Sequence, residues 1–378
     1  MDINELIGVA RERKASDLHM KPGNHPCIRV DGDLEALVQF PVLRKDDMER
    51  LAFSIMTEQQ KKKFLETGDL DIGYGVAGLG RFRVNVAQQR GSIALALRVV
   101  PAFIASFEDL HLPKVLERFV EERRGMVLVT GTTGSGKTTA LAAIIDGINS
   151  RRNAHIVTIE DPIEFLHADK RGFISQREVL MDTVSFGAAL RAALRQDPDV
   201  ILLGEMRDRE TIETALVAAE TGHLVLSTVH TLDATETIQR TVAAFPPSDQ
   251  KQIRLLLAAT LRGIVSLRLL KRADAQGRVP AAEVLITTDY IRDCIINPEK
   301  THMIHEALAA GTSQYGMQTF DQSIYDLYTR KLITLEEALQ SASKPDEFKL
   351  RLAGIRSTGD MALEQMEGRV KGGVAKRY

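Results

Sequence analysis

The chain has 378 residues, 44% hydrophobic and 26% charged, with a formal net charge of -2. That length suits two or three domains, and the charge excludes a global pull toward nucleic acid or an acidic membrane surface. Two cysteines, Cys27 and Cys294, lie far apart; they make neither a disulfide framework nor a zinc cluster and point to reduced thiols in the cytoplasm. The start, MDINELIGVARERK, lacks the apolar core of a signal peptide. No apolar run approaches the roughly 20 residues of a membrane span, so work at a membrane would require docking through a partner. In chain order, residues 3–14 predict a short amphipathic helix, and CIRVDGDLEAL a hairpin turning at Asp31 and Gly32. Residues 46–66 carry apolar residues at helical spacing. GRFRVNVAQQRGSIALALRVV reads as two antiparallel strands joined at QRGS.

PAFIASFEDLHLP, residues 101–113, has prolines at both ends and marks a linker. Beyond it the order changes to MVLVTG (strand), TTALAAIIDGINS (helix), AHIVTIED (strand), FGAALRAALRQ (helix), VILLGE (strand), RETIETALVAAETG (helix) and LVLSTVH (strand). Alternating helices and continuously apolar strands predict a mainly parallel sheet covered on both faces, an α/β fold. Residues 248–270 read as helical, and 320–354 as further helices. The domains expected are an α+β segment at 1–100, the linker, an α/β domain at 114–355 and a flexible tail at 356–378.

GTTGSGKTT, residues 131–139, satisfies G-x-x-x-x-G-K-[ST] between a strand and a helix. Gly131, Thr132, Thr133, Gly134, Ser135 and Gly136 would curl the backbone so that successive N–H groups face phosphate. Lys137 would reach the β and γ phosphates of ATP, Thr138 would ligate Mg2+, and Thr139 continues the helix whose positive end faces the anion. In VILLGEMRD, Glu205 ends an apolar strand, where an acid would hold the metal; a surface acid or helix cap is the competing reading. HIVTIEDPIEF offers Glu160, Asp161 and Glu164, and a carboxylate there could polarise the attacking water. Spacing alone does not choose between Glu160 and Glu164, and a solvated acidic turn is the bland alternative. In TGHLVLSTVHT, His223 and His230 stand seven residues apart, about 23 Å along a strand. Only His230 should face the γ-phosphate of its own subunit; His223 would need another partner, such as a neighbouring subunit.

These boxes, in this order, resemble the secretion-type ATPases, and within them the PilT-like type IV pilus retraction ATPases. ASDLHMKPGNHPCIRVDGDL, GRFRVN, LRQDPDV and GMQTFDQ carry the likeness further, over about residues 1–352. The resemblance implies a RecA-like P-loop ATPase domain preceded by a smaller PAS-like domain. It implies a homo-hexameric ring with ATP and Mg2+, docked on an inner-membrane pilus platform protein from the cytoplasm, with a paralogous retraction ATPase as a further partner and no nucleic acid. Glu164 corresponds to the water-activating glutamate, Glu205 to the Walker B acid, and His223 and His230 to the His box, while Glu160 stands beside the nucleotide. Arg81, Arg83 and Arg278 resemble arginines that approach it; such groups neutralise charge on a transferring phosphoryl group. On a strand, Arg81 and Arg83 could equally share one solvated face.

The family's A-I-R-N-L-I motif is Y-I-R-D-C-I here, residues 290–295, differing at Tyr290, Asp293 and Cys294. An accessory PilU-like paralogue is therefore an alternative to the principal motor. Pilus assembly and type II secretion ATPases usually carry an extra domain and a four-cysteine zinc site, which two cysteines do not supply. A nucleic-acid motor lacks support from charge or from aromatic–basic interleaving. A regulatory module without turnover is disfavoured by Lys137, Glu164 and Glu205.

Overall fold

A computed structural model of the chain describes residues 2–30, 32–101 and 103–353. The tail assigned to 356–378 lies outside the described residues, as does Asp31 of the first turn. The chain opens with α1 (Ile3–Glu12), β1 (Asp17–Met20), β2 (Cys27–Val30) and β3 (Asp33–Ala36). Next come α2 (Lys45–Ser54), α3 (Glu58–Thr67), β4 (Asp69–Val76), β5 (Gly80–Gln89) and β6 (Ser92–Val99). Past the linker are α4 (Glu117–Glu121), β7 (Gly125–Thr130), α5 (Lys137–Arg151), β8 (His155–Glu160), β9 (Phe173–Glu178), α6 (Phe186–Ala193), β10 (Val200–Leu203), α7 (Arg209–Glu220) and β11 (Leu224–Val229). Then follow α8 (Ala234–Ala243), α9 (Pro247–Thr260), β12 (Leu261–Lys271), β13 (Arg278–Ile286) and a set of short C-terminal helices. None among the described residues is long and apolar enough to cross a membrane.

The chain forms two compact units, one joining Met1–Ile104 with Ile148–Gly204, the other joining Ala105–Gly147 with the chain from Glu205 onward. In the first unit a six-stranded antiparallel sheet runs β3-β2-β1-β6-β5-β4. Alternation along β5 and β6 turns Phe82, Val84, Val86, Ile93, Leu95 and Leu97 inward. Ile3, Leu6, Ile7 and Ala10 of α1 join the same core at helical spacing. Each large side chain buried this way contributes about 1.5–3 kcal/mol. The predicted turn at 31–32 pairs Val30 with Asp33. This unit also holds β10-β8-β9, all parallel.

The predicted helix over 46–66 is two helices. Thr57 starts the second: its hydroxyl accepts from the Gln60 N–H at 3.3 Å, and the Gln60 amide oxygen accepts from the Thr57 N–H at 2.8 Å. This reciprocal cap ends one helix and begins another.

In the second unit β13-β12-β7-β11 lie side by side, parallel except for β13 on β12. The helix expected over 248–270 ends at Thr260, and 261–271 is β12 instead. Residues 263–267, GIVSL, are buried at every position, so they show no period of two to distinguish this strand from a buried helix. Gly263 belongs to this strand because nothing larger fits. A Cβ there would stand 2.5 Å from Phe119 Cζ and 2.6 Å from the Leu285 carbonyl oxygen. Gly263→Ala should therefore cost about 1–3 kcal/mol, read as a lowered midpoint of thermal or urea unfolding; an unchanged midpoint would contradict this packing.

Candidate nucleotide site

The loop between β7 and α5 takes its shape from three glycines with positive φ: Gly131 at 142°, Gly134 at 77° and Gly136 at 94°. L side chains rarely adopt such angles. At Gly131 there is also no space, since a Cβ would lie 2.4 Å from Ser135 Oγ and 2.6 Å from the Leu267 carbonyl oxygen. The loop leaves a well-anchored strand end: the buried Thr130 hydroxyl donates to Ser266 Oγ at 3.0 Å, joining β7 to β12.

Lys137 is buried, and its Nζ donates to the carbonyl oxygens of Gly131 and Thr132, each at 2.9 Å. These bonds curve the loop around its own cation. Ser135 Oγ is buried with no hydrogen-bond partner among the described residues, an orphan that a buried polar atom does not ordinarily remain. Loop glycines, an orphaned hydroxyl and a cation inside the curl together fit a bound polyphosphate. Thr138 and Thr139 stand half-buried in the first turn of α5.

Two cavities of this unit adjoin the loop. One, of about 440 Å3, is lined by Thr133, Glu205, Arg207, Thr228, His230 and Arg240 among others. It brings the predicted Glu205 and His230 together with the phosphate loop. His230 Nε2 lies 3.9 Å from a Glu205 carboxylate oxygen. Partial burial, with the nearby Lys137 ammonium, holds the imidazole pKa below its ordinary value. Arg207, unforeseen in the sequence, pairs with Glu205 at 2.7 Å. The other cavity, of about 410 Å3, is lined by Gly136, Thr139, Ala140, Leu267, Leu269, Arg272 and Arg278 among others. Its apolar wall and flanking guanidinium groups suit a nucleoside. Arg278 thus reaches the loop's neighbourhood from the start of β13. Leu269 was hidden from sequence reading because 248–270 reads as helical; Arg272 lies just past that stretch and carried no motif.

His223 sits at the opposite end of β11 from His230. Its carbonyl accepts from the Gly125 N–H at the start of β7, and its Nδ1 donates to the Ala218 carbonyl at 2.9 Å. Within the chain it lies apart from the phosphate loop, which follows the far end of β7. Behind the His230 turn, the Asp233 side chain caps α8, and the buried Glu283 carboxylate accepts from the Ala234 N–H at 2.9 Å. Burial pushes Glu283 up to about 7.

The acidic box lies in the first unit. Glu160 is buried and accepts from Thr158 Oγ1 at 2.7 Å and Gln176 Nε2 at 3.2 Å; burial raises its pKa. Glu164 is the more exposed of the two, and Arg83 Nη1 lies 3.3 Å from its carboxylate. Arg83 also faces Asp71 at 3.8 Å. Arg81 takes a different direction from Arg83: its guanidinium pairs with the buried Glu178.

A strand–glycine loop–helix motif with an acid and a histidine beyond neighbouring strand ends defines a P-loop nucleotide-binding protein. The family model for type II/IV secretion system proteins matches residues 1–344. The type IV pilus retraction ATPase PilT of Pseudomonas aeruginosa is 43% identical over 92% of this chain and its own full length. The type IV pilus ATPase PilU of the same organism is 37% identical over 95% of this chain and 94% of its own. A crystal structure of the pilus retraction motor PilT with bound ADP superposes with a TM-score of 0.83 at 47% identity, covering 92% of this chain and 98% of that one. The chain belongs to the type II/IV secretion system ATPase family, and it is an ATPase. Lys137→Ala should lower affinity for a fluorescent ATP analogue at least about tenfold, the loss of a charge-assisted contact to phosphate; unchanged equilibrium binding would contradict the site.

Proposed function

We propose that the chain is a hexameric ATP-hydrolysing motor that powers type IV pilus retraction. Full-length likeness to a pilus retraction ATPase, joined to the cavity holding Thr133, Glu205 and His230, carries the reading. Residues 1–100 serve as the N-terminal domain and 114–355 as the ATPase domain. Lys137 binds the β and γ phosphates of ATP. Thr138 and Glu205 hold Mg2+, which when bound neutralises charge on the phosphate oxygens. Glu164 orients the attacking water and takes its proton as the bond between γ-phosphorus and the ADP oxygen breaks. His230 is a hydrogen-bonding group beside Glu205. Glu160 supports the acidic box from within. Arg83 and Arg278 supply positive charge to the phosphoryl group, and His223 faces a neighbouring subunit. The ring works on the cytoplasmic side, at the inner face of the membrane, by docking on the platform protein of the pilus machine.

An accessory PilU-like role is the second reading, favoured by the altered residues Tyr290, Asp293 and Cys294 on the helix Asp289–Ile296. Glu164→Gln should keep nucleotide binding and cut phosphate release at least about a hundredfold; undiminished release would remove Glu164 from the chemistry. A strain lacking the chain should be hyperpiliated and unable to twitch. Loss of pili would mean assembly instead, and unaltered twitching would favour the accessory role.

A further inference from the structure

The sixth residue of β9 is Glu178, a carboxylate 1% exposed. One oxygen accepts from the Gly73 N–H of β4 at 2.9 Å. The other accepts from the Ile163 N–H at 3.0 Å and from the Arg81 guanidinium of β5. A buried carboxylate is stable only with such donors, and here two are backbone groups of different segments. Gly73 is required by the same contact. A Cβ there would stand 2.4 Å from one Glu178 oxygen and 2.5 Å from Arg81 Nη2.

Two residues earlier, on the same face of β9, Gln176 grips the same loop. Its Nε2 donates to the Phe165 carbonyl at 2.9 Å and to Glu160 at 3.2 Å. Its Oε1 accepts from the His167 N–H at 2.9 Å. Between them these side chains hold Glu160, Ile163, Phe165 and His167, the residues on both sides of Glu164. No hydrogen bond of theirs goes to the Glu164 side chain, which stays accessible and faces Arg83.

The geometry points to Glu178, with Gln176 beside it, as a positioning residue for Glu164. It fixes the Pro162–Phe165 backbone to the β4–β5 edge, and so fixes the direction of the carboxylate that Arg83 faces. Arg81 then acts as the counter-charge to Glu178 in the interior, a role distinct from touching nucleotide. This rests on reading Glu164 as the water-activating group.

A misdirected general base costs turnover before it costs binding. Glu178→Gln, which keeps the shape and removes the charge, should lower kcat about ten- to hundredfold. The KM for ATP and the affinity for a fluorescent ADP analogue should stay near wild type, while the melting temperature falls, because the Gln amide nitrogen meets a backbone N–H and the Arg81 guanidinium loses its counter-charge. In a Glu164→Gln background the same change should add no further loss. Wild-type kcat in Glu178→Gln, or a kcat loss matched by lost nucleotide affinity, would overturn the proposal; so would an additive loss in the double variant. If Glu178→Gln does not fold, the pair Arg81→Gln with Glu178→Gln leaves no buried charge unmatched and takes the same measurements. Should that pair also fail to fold, the cluster is a folding element and the proposal falls. Glu164→Gln assayed alongside separates the two readings. Full activity there defeats the role of Glu164 itself, whereas an inactive Glu164→Gln beside a fully active Glu178→Gln defeats only the present inference.

Discussion

At Gly131 the backbone must turn off the end of β7 with φ at 142° while Ser135 Oγ and the Leu267 carbonyl occupy the space a side chain would need. Everything assigned to the phosphate site follows from this. Only with that turn can the loop curl around Lys137, present its N–H groups inward and deliver Gly136 to the start of α5. The neighbouring strands supply rigidity: β7 is fully buried, and the hydroxyl pair between Thr130 and Ser266 fastens its end. The Lys137 ammonium, already bonded to two loop carbonyls, holds this shape before any anion arrives, so little ordering remains to oppose binding.

Around that loop the second unit arranges two environments of opposite character. On the Thr133 side are polar groups, Glu205, Arg207, His230 and Arg240, suited to phosphate and metal. On the Gly136 side are Ala140, Leu267 and Leu269 with guanidinium groups at the margin, suited to a nucleoside. β12 runs beside β7 and supplies the apolar wall, so the strand that fills the unit's core also shapes the ligand's surroundings. In the first unit the acidic box is organised by burial. Glu160 and Glu178 are enclosed and hydrogen-bonded, while Glu164 between them stays exposed enough to meet a water.

How much of this was legible in the sequence depended on whether a residue's role is local. The phosphate loop and Thr57–Gln60 announce themselves through neighbours in sequence, although the latter cap went unread inside a long apolar pattern. β12 could not be distinguished, because its buried GIVSL stretch shows no period of two and the strand follows directly on α9; its pairing with β7 and β13 is what makes it a strand. β4 and β9 were missed for another reason. GDLDIGYG and FISQRE are short and rich in polar residues, and they become strands by pairing with β5 and β8. The split between Arg81 and Arg83 was likewise invisible. Two arginines on one strand look equivalent until a carboxylate nearly a hundred residues later is folded against one of them. Of the two box histidines, spacing alone placed them at opposite ends of one strand, and β11 separates them in that way.

The chain's chemistry thus hangs on a turn that only glycine can make at this position. Equilibrium binding of ATP to Gly131→Ala, with secondary structure followed by circular dichroism, tests that claim most directly. The account predicts a folded protein whose affinity has fallen at least about a hundredfold, since the added carbon collides with backbone that cannot move aside. Wild-type affinity in the folded variant would contradict it.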